Sequence, residues 1–289
     1  MLLRPHRSAL FIPGANARAL EKARHLAADS LIFDLEDAVA PTAKQLARDQ
    51  IICAVKQGGY GRREIVIRVN ALDTPWGCDD IAAVANCGAD AILFPKVESP
   101  QQLQAAVKAL DNAGAPTTLA IWMMAETPRA VLDIDTIAGA HPRLDMIVMG
   151  TSDLTRDMRA RHTRERTGLI AALSMCILAA RAHKLDILDG VYLTLNDAEG
   201  FHAVCLQGRD MGFDGKTLIH PQQIATANTV FAPSAEDAES AHRIIQAWEQ
   251  ARKDNKSVVV VDGKLVENLH VEEAHRTLAL LAAIDAMAD

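Results

Sequence analysis

The sequence predicts an α/β fold, a single (β/α)8 TIM barrel followed by a C-terminal strand-turn-helix lid. Short apolar, β-branched runs recur at 9–12, 31–34, 65–69, 91–95, 119–123, 146–149, 190–193 and 215–219. Each is separated from the next by an amphipathic stretch rich in Ala, Leu and charge, the alternation of parallel strands and covering helices. These eight units follow one another without a long linker, which favours a closed barrel over an open doubly wound sheet. A chain of 289 residues with 49% hydrophobic content can also bury one large core without splitting into two ordinary domains.

The catalytic barrel is assigned to residues 1–254. Its Ala-rich intervals, 100–113 and 168–183, have the apolar spacing of helices that pack on a sheet. After the eighth run, 234–253 reads as a helix that closes the barrel, with Ser234 as N-cap and Glu236 and Asp237 in its first turn. Residues 255–289 are surplus to the barrel. They contain a strand at 258–261, a turn at Asp262-Gly263 and a helix at 271–287, which suits an ordered lid or subunit-contact element.

The formal net charge of −7 argues against a surface built for nucleic-acid phosphates or anionic lipid, so neither a nucleic acid nor a membrane is expected as partner. Five cysteines, Cys53, Cys78, Cys87, Cys176 and Cys205, form no C-x-x-C pair and are expected to be reduced and mostly buried. The basic start through Arg7 leads into an apolar stretch that breaks at Pro13-Gly14, without a signal-peptide core. The most apolar helical stretch, 169–182, is too short to span a bilayer, and the expected location is cytoplasmic.

Active sites of such barrels lie at the carboxyl ends of the strands. Here those ends carry Asp34, Glu36 and Asp37; Arg68 and Asn70; Lys96 and Glu98; Glu126; Asp153; Asn196 and Asp197; and His220. The opposite ends show no such convergence. Glu126 and Asp153 follow adjacent strands, and two carboxylates without a His or thiolate partner make a hard oxygen site that suits Mg2+ better than zinc. Singly, each carboxylate fits a cap of the following helix equally well. Arg68 is a fixed cationic fork for a carboxylate or a developing enolate oxygen, or else the ion-pair partner of Glu36 or Asp37. Asp34 is expected to be structural. His220 serves either substrate or its own loop, with the loop preferred. No H-E-x-x-H, G-x-S-x-G or P-loop pattern occurs, which removes support for zinc hydrolysis, serine hydrolysis and P-loop phosphoryl transfer.

These residues resemble the citrate lyase beta-subunit-like proteins, which include malyl-CoA and citramalyl-CoA lyases. The resemblance runs nearly end to end, through Phe11-Ile12-Pro13-Gly14, Phe33-Asp34-Leu35-Glu36-Asp37-Ala38-Val39, Arg68-Val69-Asn70 and Pro95-Lys96-Val97-Glu98. It continues through Glu126-Thr127-Pro128, Gly150-Thr151-Ser152-Asp153-Leu154, Gly215-Lys216-Thr217-Leu218-Ile219-His220-Pro221 and Val261-Asp262-Gly263-Lys264. It implies that Glu126 and Asp153 hold Mg2+ (or Mn2+) chelated by a 2-oxo acid, and that Arg68 stabilises that acid's oxygen. Glu36 and Asp37 join Arg68 and Asp262 as candidate catalytic residues. Arg68, Arg18, Lys22, Pro13, Gly14, Lys96 and His220 are the candidate substrate-binding residues. It further implies a homo-oligomer, a trimer or hexamer, in which a lid carrying Asp262 as acid/base closes over a neighbour's site. The implied reaction is cleavage of a 3-hydroxyacyl-CoA into acetyl-CoA and glyoxylate or pyruvate. A citryl group on acyl carrier protein and hydrolysis of the thioester on the same metal site are the alternatives.

Overall fold

Strands β1 (Ser8–Pro13), β2 (Ser30–Asp34), β3 (Glu64–Arg68), β4 (Ala91–Phe94), β5 (Ala120–Ala125), β6 (Leu144–Met149), β7 (Asp186–Asp189) and β8 (Gly215–Leu218) pair in parallel in chain order. In the computed structural model, which describes residues 4–254 and 257–288, β8 also pairs with β1 and closes the barrel. The predicted α/β barrel is therefore the observed fold. One strand lies elsewhere than predicted: β7 is Asp186–Asp189, and residues 190–193 are loop. The signal was hidden because Asp186 and Asp189 flank only two apolar residues. Both aspartates are acceptable in a strand because each has a cationic partner. Asp186 accepts from His6, and Asp189 from Arg166 and Lys216.

Between the strands run α1 (Ala17–Ala23), α2 (Lys44–Gln57), α3 (Gly77–Val84), α4 (Pro100–Asn112), α5 (Pro128–Leu132), α6 (Ile134–Ala138), α7 (Thr151–Asp157), α8 (Ile170–Ala182) and α9 (Ala198–Met211). Their boundaries follow capping chemistry. Ser99 accepts the Gln102 N–H ahead of Pro100, and Asp197 accepts the Gly200 N–H at the start of α9, which ends at left-handed Gly212. Helix α4 buries Leu103, Ala106, Val107 and Leu110, the i, i+3, i+4, i+7 face.

The barrel interior is filled by Ala9, Ile32, Val66, Ala91, Leu93, Trp122, Met124, Met146, Val148 and Leu188. Side chains on a strand alternate faces, so residues two steps away share the inward direction. Two steps beyond Ile32, Val66 and Met124 stand Asp34, Arg68 and Glu126, which places charge at the carboxyl mouth. Two steps before Ile32 and Val66 stand Ser30 and Glu64. The expectation of no polar convergence at the amino ends is therefore corrected. His6 bridges Glu64 (2.9 Å) and Asp186 (3.2 Å), Ser30 donates to Glu64 (3.2 Å), and the His6 ring meets Trp122 edge-on. Burial alone would discharge His6, but its hydrogen bonds to Asp186 and Glu64 push its pKa up to about 10.

The described residues divide into two compact units. The barrel unit is residues 6–229; the other comprises residues 4–5 with those from 230 onward. The second unit holds most of its length in α11 (Ala235–Lys253), the hairpin of β9 (Val259–Val261) and β10 (Lys264–Val266), and α12 (Asn268–Ala288). Helix α10 (Ile224–Phe231) runs across the boundary at residue 230. Ser234 and Asp237 form a reciprocal capping box at the start of α11. Asp262 (φ 50°) and Gly263 (φ 78°) are both left-handed, as a two-residue hairpin turn requires. Across the hairpin Val260 pairs with Leu265, and both are more than half exposed. Among the described residues, no helix is long and apolar enough to cross a membrane. All five cysteines are free, with Cys87, Cys176 and Cys205 buried and Cys53 and Cys78 exposed.

Candidate active site

The carboxyl mouth is organised around Arg68. Its Nε and Nη2 donate to the two oxygens of Asp34 at 2.7 and 2.6 Å, a parallel fork that also fits the strand register, in which Asp34 and Arg68 are neighbours. The Phe11 ring lies 4.7 Å below the guanidinium, and Nη1 is 3.6 Å from the Met124 sulfur. Burial opposes the charge on Arg68, but Asp34, Glu36 and Asp37 together raise its pKa, so it is a permanent cation.

Arg68 Nη1 lies 2.9 Å from Glu36 Oε2, an ion-pair distance, yet it is not aimed along a hydrogen bond. That buried oxygen has no hydrogen-bond donor. The other oxygen, Oε1, accepts from Lys96 Nζ at 3.0 Å. Burial is the main cause that raises the Glu36 pKa; Arg68 and Lys96 oppose it, and Asp37 reinforces it. Asp37 itself is 64% exposed and 3.9 Å from Arg68, so Glu36 is the carboxylate that faces the interior.

Lys96 follows β4 in a left-handed conformation (φ 52°) that is uncommon for a residue with a Cβ. This turn aims the Lys96 N–H at Glu126 Oε1 (2.7 Å) while its side chain reaches Glu36. Glu126 is not a helix cap, because the neighbouring Thr127 takes that role by accepting the Ala130 N–H ahead of Pro128. Glu126 is 1% exposed, and burial together with the charges of Glu36 and Asp153 pushes its pKa up to about 8. Asp153 stands in the first turn of α7, where Oδ1 accepts from Arg156 at 2.5 Å. Gly150 lies against Glu126: a Cβ there would lie 2.2 Å from Glu126 Cβ and 2.8 Å from Glu126 Oε2.

The mouth therefore brings together Glu36, Arg68, Lys96, Glu126 and Asp153. Gly14 adjoins it, donating its N–H to the Asp34 carbonyl at 2.9 Å; a Cβ on Gly14 would collide with that oxygen. Arg18 and Lys22 are exposed on α1. His220 caps the short 3-10 turn after β8, its Nδ1 accepting from Gln222 N–H, so its ring serves its own loop. Asp262 belongs to the C-terminal unit, where its Oδ2 accepts from Arg243 Nε at 3.0 Å.

The donor set suits a hard cation. Among the described residues, no group of three His, Cys, Asp or Glu side chains is arranged to hold a metal; Glu126 and Asp153 are the pair at the mouth that could offer oxygens to one. Glu126, buried and next to the charges of Glu36 and Asp153, is held neutral up to about pH 8, and a divalent cation with oxygen preference would favour its charged form.

A closed parallel barrel whose carboxyl mouth gathers an Arg fork, a Lys and three acidic side chains has the layout of a barrel enzyme. The particular family follows from the sequence: residues 7–221 match the HpcH/HpaI aldolase/citrate lyase family, and the chain belongs to it. It is 50% identical over 282 residues to the (3S)-malyl-CoA thioesterase of Cereibacter sphaeroides, covering 98% of this chain and 96% of that one. It is 34% identical over 281 residues to the citrate lyase subunit beta of Escherichia coli, covering 96% and 93%. The structure of CitE from Mycobacterium tuberculosis in complex with magnesium, acetoacetate and coenzyme A is similar, with a TM-score of 0.76 and 26% identity over 98% of this chain and 100% of that one.

Proposed function

We propose that this chain is a Mg2+-dependent thioesterase that hydrolyses a 3-hydroxyacyl-CoA of the (3S)-malyl-CoA type to the free hydroxy acid and coenzyme A. One observation carries the reading: Glu36 is a buried carboxylate with one oxygen fixed by Lys96 and the other without a donor, beside the fixed cation Arg68. That is the arrangement of a general base next to an oxyanion stabiliser. The 50% identity to (3S)-malyl-CoA thioesterases, set against 34% to citrate lyase subunits, supports hydrolysis as the outcome. The CoA-bound CitE relative supports a CoA thioester.

Glu126 and Asp153 would hold the ion. When bound, Mg2+ acts as a Lewis acid towards the oxygens of the acyl portion. Glu36 takes a proton from water as that water's oxygen attacks the thioester carbonyl. Arg68 stabilises the negative charge that develops on the carbonyl oxygen, and its grip by Asp34 means it need not reorganise to do so. As the carbon–sulfur bond breaks, Glu36 returns the proton to the departing thiolate. Lys96 keeps Glu36 oriented throughout. Exposed Arg18 and Lys22, beside the Pro13-Gly14 loop, supply positive charge for the phosphates of coenzyme A.

A second reading, carbon–carbon cleavage to acetyl-CoA and glyoxylate or pyruvate, is favoured by the citrate lyase likeness and by Asp262 at the tip of its hairpin. In it Arg68 stabilises an enolate oxygen and Asp262, carried by a lid from a neighbouring subunit, protonates the enolate carbon. The exposed Val260 and Leu265 on that hairpin suit burial against a second copy in a trimer or hexamer. Product analysis with Mg2+ and (3S)-malyl-CoA separates the two readings. Hydrolysis yields malate and free CoA thiol; stoichiometric acetyl-CoA and glyoxylate would replace it with the lyase reading.

A further inference from the structure

Glu36 sits in a turn after β2 whose backbone is held from two sides. Asp34 accepts the N–H groups of Glu36 (2.8 Å) and Ala38 (3.0 Å). From the opposite side Lys44, at the start of α2 and 5% exposed, donates to the carbonyls of Leu35 (2.7 Å) and Glu36 (2.8 Å) and to Asn70 Oδ1 (2.8 Å). Asn70 in turn donates to the Leu35 carbonyl (2.9 Å) and to Asp80 Oδ2 (2.6 Å). Asp80 is fully buried with Arg48 Nε at 3.2 Å, and the Trp76 ring covers the Lys44 ammonium at 5.0 Å.

A buried ammonium is costly, and all three acceptors of Lys44 are neutral oxygens. Two of them are successive carbonyls, of Leu35 and Glu36, in the peptides on either side of the Glu36 α-carbon. Holding both peptide planes on one cation fixes the direction of the Glu36 Cα–Cβ bond. A turn needing only closure would be met at lower cost by neutral donors.

We propose that Lys44 is a positioning residue for Glu36: it aims the donorless oxygen Oε2 at the reacting centre by clamping the Leu35 and Glu36 carbonyls. The proposal rests on the base role given to Glu36 above. Asn70 and Asp80 hold Lys44 in place, so the support reaches from the start of α2, through the end of β3, into α3.

The test compares Lys44→Met, Glu36→Gln and the double variant in Mg2+, reading consumption of (3S)-malyl-CoA, together with a crystal structure of Lys44→Met. A misaimed base is expected to lower kcat about 100-fold in Lys44→Met, with KM little changed. In the Glu36→Gln background the same substitution should cost no more than about threefold, because the group it aims is already gone. The Lys44→Met structure should show Glu36 displaced from Lys96 Nζ, which it meets at 3.0 Å in the native protein. An equal loss in both backgrounds, or Glu36 unmoved in the Lys44→Met structure, overturns the proposal. Wild-type turnover by Glu36→Gln would instead refute the base role, and the crystal structure alone would then decide the positioning claim. If Lys44→Met does not fold, Lys44→Gln, which keeps one amide donor, carries the same comparisons.

Discussion

Arg68 and Asp34 form a buried fork of two parallel hydrogen bonds, 2.7 and 2.6 Å, at adjacent positions of neighbouring strands. The fork leaves Nη1 as the guanidinium edge turned towards Glu36. Lysine cannot reproduce it, because a point cation makes no bidentate contact. Arg68→Lys is expected to lower kcat by about 100- to 1,000-fold, the range for loss of one oxyanion donor. Asp34→Ala removes the two-point partner of a buried cation and should cost about 3–5 kcal/mol of stability. Steady-state kinetics and thermal melts check the pair; near-normal kcat in Arg68→Lys would remove Arg68 from the chemistry.

Glu126 makes metal-free stability depend on pH. Its pKa in the folded chain is about 8, above the unfolded value of 4.5, so the folded state retains a proton that the unfolded state has lost. Stability from this group therefore falls as pH rises from the unfolded value towards about 8, and the full penalty remains above it. An ion on Glu126 requires the charged form and reverses the penalty. Mg2+ should accordingly raise the melting temperature more at about pH 8 than at about pH 6, and its binding below pH 8 should release protons. Glu126→Gln should lose the Mg2+ shift while its metal-free melting temperature does not fall. Calorimetry in buffers of different ionisation enthalpy reads the proton release directly.

Much of the mouth was legible because strand alternation carries chemistry as well as packing. Ile32 and Asp34, Val66 and Arg68, and Met124 and Glu126 share an inward phase, so finding the runs also located the charges. The seventh strand was not legible, since Asp186 and Asp189 look like loop residues until their partners His6, Arg166 and Lys216 are seen. The amino-end cluster was hidden for a related reason: His6 and Asp186 lie 180 positions apart, and no local pattern joins them. Nothing local in the sequence singles out Lys44, because its two carbonyl acceptors lie eight and nine positions away and meet it through the fold.

Gly150 sets the room available to Glu126. A Cβ at this position would overlap Glu126 Cβ at 2.2 Å, and the obstacle is the root of the side chain rather than a flexible end. Gly150→Ala should therefore push the carboxylate off its Lys96 contact, at about 1–3 kcal/mol in stability. Mg2+ affinity should fall by about 10-fold or more, as for loss of a supporting contact at a metal ligand. A normal calorimetric isotherm for Gly150→Ala would show that the mouth relaxes without harm.

His6 is the control for the opposite end of the barrel. Its pKa is raised to about 10 by Asp186 and Glu64 against the effect of burial. The stability it contributes is full below its unfolded value of 6.5 and is lost as pH rises through about 10. His6→Gln removes the buried imidazolium that bridges Glu64 and Asp186 and should lower stability by about 3–5 kcal/mol at neutral pH. Turnover of the protein that remains folded should be unchanged, because the substitution lies at the amino ends of the strands. Denaturant melts with kinetics on the same samples test this; a specific loss of kcat would mean that the two ends are coupled.

Asp262→Asn decides between the two reactions. Hydrolysis moves its proton from water through Glu36 to sulfur and leaves every carbon–hydrogen bond intact. Carbon–carbon cleavage must instead add a proton to the enolate carbon, which Asn cannot supply. The substitution keeps the size of the side chain and its place in a left-handed turn, since Asn tolerates that conformation well (φ 50°). If the chain is a thioesterase, Asp262→Asn should still release malate and free CoA from (3S)-malyl-CoA. If it is a lyase, acetyl-CoA formation should drop by about 100- to 10,000-fold, the span of general acid–base catalysis. Loss of hydrolysis alongside an unchanged Mg2+ isotherm would place Asp262 in the hydrolytic site itself and refute Glu36 as the sole carrier of the proton.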